Sequence, residues 1–143
     1  MACGQDVYDL QRFLEAQAGV YEQACAELRA GRKRSHWMWF VFPQIHGLGS
    51  SPMAVRYAIS SLDEARAYLE HVVLGPRLRK SAEIVVGVQG KTVGEIFGSP
   101  DDMKFHSSMT LFAKAAEGLG DVFEEALAKY FDGAVDQGTI QRI

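Results

Sequence analysis

Cysteine is nearly absent: the 143 residues hold only Cys3 and Cys25, with no C-x-x-C pair and no four-ligand zinc set. That excludes a disulfide framework and a structural zinc site. Cys3 falls in a terminus (1–5) expected to be frayed, and Cys25, inside a helical pattern, reads as a small buried hydrophobe. Positive charge is not in excess either: 15 Lys and Arg stand against 18 Asp and Glu, a net charge of −3. Nucleic acid and anionic membranes are therefore not expected partners of the whole surface. Long apolar runs are missing too. The longest, Trp37-Met38-Trp39-Phe40-Val41-Phe42, falls far short of the ~20 residues that span a bilayer. Met1 to Leu10 carries acids and no apolar stretch behind a basic cluster, so no secretory signal is read there and a cytoplasmic location is expected.

What is present is helix punctuation. Leu10, Phe13, Leu14, Gln17, Tyr21, Ala24, Cys25 and Leu28 recur at three- and four-residue spacing, leaving Gln11, Arg12, Glu15, Glu22 and Glu27 for solvent. Gly19 is placed to divide this stretch and Gly31 to end it. Ser51-Pro52, Ser61-x-x-Glu64, Thr92-x-x-Glu95, Ser99-Pro100-Asp101-Asp102 and Asp121 are helix starts, Gly75-Pro76 another, and Gly133 is a stop. No two alternating strands flank an Asn-Gly or Asp-Gly turn. The expectation is a mainly α protein, a single domain over 1–143 built as a bundle of about six to eight short helices. Segment 36–42 fits either a strand or a short buried helix, because its bulk lies on every side.

The stretch Gly31-Arg32-Lys33-Arg34-Ser35-His36-Trp37-Met38-Trp39-Phe40-Val41-Phe42-Pro43-Gln44, followed by Gly47-Leu48-Gly49, resembles the hallmark of a bacterial family known as domain of unknown function 1810. Ile96-Phe97-Gly98, Pro100-Asp101-Asp102, Lys104 and Ser107-Ser108-Met109-Thr110-Leu111-Phe112 resemble it as well, as do Ala67-Tyr68-Leu69 and Leu74-Gly75-Pro76-Arg77-Leu78. The chain departs from the pattern at Glu70-His71-Val72-Val73, where a turn proline is replaced. The resemblance implies a compact helical fold and carries no reaction, no cofactor and no catalytic residue.

Two segments offer chemistry. Arg29, Arg32, Lys33 and Arg34 stand directly ahead of His36, Trp37 and Trp39. Guanidinium forks grip phosphate, an ammonium adds a point charge, and an indole stacks on a base. In the second segment, Lys104, Ser107, Ser108 and Thr110 put a cation and three hydroxyls in the middle turns of a helix, where serine and threonine are mediocre helix formers, and Lys104, Ser107 and Ser108 project on neighbouring faces of consecutive turns. The alternatives are a solvated helix C-terminus ahead of core tryptophans, and hydroxyls bonded back to carbonyls with Lys104 paired to Asp101. Gly47-Leu48-Gly49-Ser50-Ser51 is a glycine-rich loop without the P-loop lysine. His36, His46, His71 and His106 show no metal-binding spacing.

The expected site joins Lys33, Arg34, His36, Trp37 and Trp39 to Lys104, Ser107 and Ser108 around a phosphorylated or nucleotide-like small molecule, with turnover left open. The competing expectation is a non-catalytic interaction or structural module, bound to a protein partner or to its own copies, with the tryptophans as core or partner surface.

Overall fold

The computed structural model describes residues 6–117 and 121–143, so Cys3 lies outside the described residues. Among the described residues ten helices follow one another: α1 (Gln11–Gln17), α2 (Tyr21–Arg29), α3 (Met38–Val41), α4 (Pro52–Arg56), α5 (Leu62–Glu70), α6 (Leu74–Gly87), α7 (Val93–Phe97), α8 (Asp101–Ala115), α9 (Val122–Phe131) and α10 (Gln137–Ile140). Their number exceeds the six to eight expected because α3, α4, α7 and α10 are single turns of four or five residues. The described residues hold no strand beyond an isolated parallel bridge between Ile45 and Ile59.

The caps act as their chemistry dictates. Ser51 accepts from the Ala54 amide, Asp121 from the Phe123 and Glu124 amides, and Thr92 with Glu95 closes a full capping box. Ser61 accepts from the Glu64 amide. Glu64 does not reciprocate: its carboxylate meets Ser60 and, at 3.0 Å, the guanidinium of Arg12. Helix α6 begins one residue before Gly75, where the His71 ring accepts from the Val73 and Leu74 amides at 3.1 and 3.2 Å. Gly31 sits at φ +77°, the left-handed stop expected after α2.

Helix α8 is the centre of the packing, laid against α5, α7, α9 and α10. It is buried on most sides, Ser107, Ser108 and Thr110 included. Phe105 gathers an aromatic cluster, with Phe97 stacked at 4.7 Å and Phe42 edge-on at 5.0 Å. Segment 36–42 resolves as a single helical turn, Met38–Val41, and is not a strand. Trp37, Met38, Phe40, Val41 and Phe42 are buried, His36 is exposed, and Trp39 faces partly outward. An almost wholly apolar segment flanked by core on most sides needs neither the period of a strand nor that of a long helix.

Two polar side chains fix that segment. From α1, Gln17 Nε2 donates to the Phe40 carbonyl at 2.8 Å. From α2 comes Glu27, which the helical spacing assigned to solvent and which is 8 % exposed. Its Oε1 accepts from the Arg34 amide (2.8 Å), the Ser35 amide (3.0 Å) and the Trp37 indole N–H (2.9 Å). Its Oε2 accepts from the Ser35 hydroxyl (2.5 Å) and Gln23 (3.0 Å). The basic loop folds back over the end of α2, so a position on the rim of the apolar stripe becomes interior. Burial raises the Glu27 pKa, but the bonds from Ser35, the Arg34 amide, Gln23 and Trp37 outweigh it and hold the carboxyl at about 2.

Glu27→Gln is therefore expected to cost about 2 kcal/mol of stability at neutral pH. The folded carboxyl titrates near 2 and the ordinary value is 4.5, so this contribution is complete above about pH 5 and fades as the pH falls toward 2. Urea unfolding of wild type and E27Q at neutral pH and at about pH 3 checks it; an undiminished gap in acid contradicts it.

Candidate functional site

The two segments singled out in the sequence meet at one carboxylate. Asp101, in the first turn of α8, holds Lys33 Nζ at 2.8 Å on Oδ2 and Lys104 Nζ at 3.5 Å on Oδ1. Each ammonium also stands over an indole, Lys33 over Trp37 and Lys104 over Trp39, both at 5.1 Å from the ring centroid. The Lys33 side chain is 8 % exposed and that of Lys104 is 27 % exposed, so Lys104 is the more accessible of the two.

Beside this junction opens a cavity of about 380 Å3, within the range of small-molecule pockets. Trp39, Lys104 and Ser107 line it, joined by Gln44, Tyr57 and Asp136. The loop Gly47-Leu48-Gly49, read in the sequence as a lesser phosphate-binding candidate, forms another part of its wall. Thus three of the eight expected site residues share one cavity.

The other five stand elsewhere. Trp37 is fully buried, with its indole N–H committed to Glu27. Lys33 is drawn to Asp101, behind the lining. Arg34 and His36 are exposed outside the cavity. Ser108 is fully buried, and its hydroxyl has no hydrogen-bond partner among the described residues.

Asp136 is a lining residue that no motif in the sequence marks as a site. Its Oδ2 accepts from the Ser107 hydroxyl (3.0 Å), the Thr139 amide (3.1 Å) and the Thr139 hydroxyl (2.6 Å). Its amide donates to Thr110 Oγ1 at 2.9 Å. The hydroxyls of α8 thereby find their use. Ser107 lies within donating distance of the Met103 carbonyl (3.1 Å) and Thr110 donates to the His106 carbonyl (2.9 Å), the back-bonding weighed as an alternative. The same side chains tie the segment before α10 to α8. An aspartate three residues before a threonine is a readable helix cap, but nothing in the sequence aims it at Ser107.

The histidines are engaged in packing or left at the surface. His106 Nε2 lies 2.8 Å from the Ala134 carbonyl, with its ring stacked on Phe131 at 4.0 Å. His46 is exposed. Among the described residues no group of three or more His, Cys, Asp or Glu side chains converges as a metal site. Cys25 is buried and free. No helix among the described residues is long and apolar enough to cross a membrane.

The family described as Protein of unknown function (DUF1810) has a model that matches residues 7–143. The chain belongs to that family. It is similar in structure to the conserved hypothetical protein Rv1873 from Mycobacterium tuberculosis, with a TM-score of 0.92 and 59% sequence identity, over 95% of this chain and 96% of that one. None of the curated proteins matches the chain. The mainly α architecture expected from the sequence is thus shared with a solved structure of similar length.

Ser108→Ala exchanges a buried, unpartnered hydroxyl for a methyl group and is expected to raise stability by about 1 kcal/mol. Chemical denaturation measures it. A loss of stability would mean that the hydroxyl has a partner.

Proposed function

We propose that this protein binds a phosphorylated or nucleotide-like small molecule in the cavity formed by Trp39, Lys104, Ser107, Asp136 and the 47–49 loop. The observation that carries the reading is the sharing of Asp101 between two lysines. One carboxylate cannot neutralise two ammonium groups, so positive charge is left over. Lys104 is the one that lines the cavity. An anionic group placed there gains a charge-assisted hydrogen bond without stripping Lys33 of its own partner.

The rest of the wall suits the remainder of such a ligand. Trp39 and Tyr57 supply aromatic surface and Leu48 aliphatic surface for a flat ring. Asp136 and Gln44 accept from hydroxyl or amino groups, as a ribose or a base edge presents them. The cytoplasm, where such metabolites are abundant and a free Cys25 stays reduced, is the compartment this reading assigns.

The interaction-module reading draws on a different surface. Arg29, Arg32, Arg34 and His36 are exposed, outside the cavity lining. A protein partner held there would be insensitive to changes in the cavity.

Calorimetric titration with nucleoside monophosphates, ADP-ribose and sugar phosphates tests the proposal. Lys104→Gln and Trp39→Ala are each expected to weaken binding about tenfold, and Arg34→Gln and His36→Asn to change it by less than about twofold. Binding by K104Q that equals wild type, or silence across the whole panel, would overturn the reading.

A further inference from the structure

A second cation stands just outside the cavity lining, against two glycines that form part of it, and no motif in the sequence marks it. Arg142 follows α10, and its side chain is laid over the glycine loop. Gly47 sits at φ +90°, and a Cβ built there would come within 2.9 Å of Arg142 Nε. Arg142 Nη1 donates to the Gly138 carbonyl at 2.9 Å. Gly47 and Gly138 both line the cavity. Across the same strip of backbone, a Cβ on Gly138 would lie 3.1 Å from Leu48 Cδ2 and 3.7 Å from Arg142 Nη1. Two bare backbone positions therefore let a guanidinium rest on the loop at the edge of the pocket.

Like most basic side chains among the described residues, Arg142 has no carboxylate partner, and what singles it out is its place against two glycines of the cavity wall. Asp136, the neighbouring acid, has its Oδ2 engaged by Ser107 and Thr139. Arg142 is an exposed residue, its guanidinium makes one bond, to the Gly138 carbonyl, and the rest of its planar fork of donors is left for another acceptor. Such a fork matches two oxygens of a phosphate, which the point charge of a lysine does not.

We infer that Arg142 reads the anionic group of the ligand, with Lys104 as the second cation, so that the cavity selects a phosphate monoester over its uncharged parent. The inference rests on the binding reading above and adds to it a residue and a preference. Gly47 and Gly138 are positioning residues in this arrangement: they touch no ligand group that a side chain would supply, and they keep the place of the guanidinium clear.

The test compares ribonucleosides with their 5′-monophosphates by calorimetry, on wild type, Arg142→Gln and Gly47→Ala. Wild type is expected to bind a monophosphate at least about tenfold more tightly than the matching nucleoside. In R142Q that ratio should fall to about one to three while nucleoside affinity and melting temperature hold. G47A, with its arginine intact but displaced, should lose part of the same preference. A monophosphate preference kept intact in R142Q overturns the inference and leaves the cavity reading standing. Equal affinity of wild type for nucleoside and monophosphate overturns both, because the charge left at Lys104 would then contribute nothing to holding a phosphate. Wild type that binds neither compound overturns both.

Discussion

Glu27 carries an ionised carboxylate into the protein interior, and its charge survives there because five donors converge on it: two amides, a hydroxyl, a side-chain amide and an indole N–H. An uncompensated carboxylate in that position would be strongly unfavourable. The donors come from residues 23 and 34–37, so satisfying the charge forces the chain after α2 to double back over the helix end. That reversal sends the Trp37 ring inward. Two residues further along a tight helical turn, Trp39 is carried to the other side and reaches the cavity. The Lys33 ammonium is brought to Asp101 by the same fold.

Asp101 and Asp136 extend the argument to the far wall. Asp101 joins the basic loop to α8, and Asp136 joins α8 to the segment before α10 through Ser107 and Thr110. Three acids thus organise a region whose visible signature in the sequence is basic and aromatic. Glu27 is engaged by the loop that follows its own helix, while Asp101 and Asp136 are each engaged by a partner from a distant part of the chain, which gives the pocket a defined shape among short helices. Two of the hydroxyls that make α8 a mediocre helix by propensity, those of Ser107 and Thr110, gain tertiary bonds to Asp136 beside their back-bonds within the helix.

Much of the fold was legible because it is written locally. Caps such as Ser51, Thr92 and Asp121 and stops such as Gly31 depend on a few neighbouring residues, and the structure uses each of them. The apolar stripe of α1 and α2 was legible for the same reason, with Leu10, Phe13, Tyr21, Cys25 and Leu28 all buried. Glu27 was not, because its burial depends on what the chain does after the helix has ended, which helical spacing does not encode. The two tryptophans read as equivalent in the sequence and are opposite in the structure, since two residues, about half a helical turn, separate a core position from a cavity position. Asp136 and Arg142 lie far along the chain from the motifs they serve, and no local pattern links them to Lys104 or Gly47.

The division of labour between Trp37 and Trp39 is the claim on which both the architecture and the binding reading turn. It is tested most directly by recording the two indole N–H resonances of 15N-labelled protein during titration with a nucleoside monophosphate. The account predicts that the Trp37 signal, held by Glu27, stays in place and exchanges slowly with solvent, while the Trp39 signal shifts with saturation. Movement of the Trp37 signal with a stationary Trp39, or rapid exchange of the Trp37 proton, would contradict it.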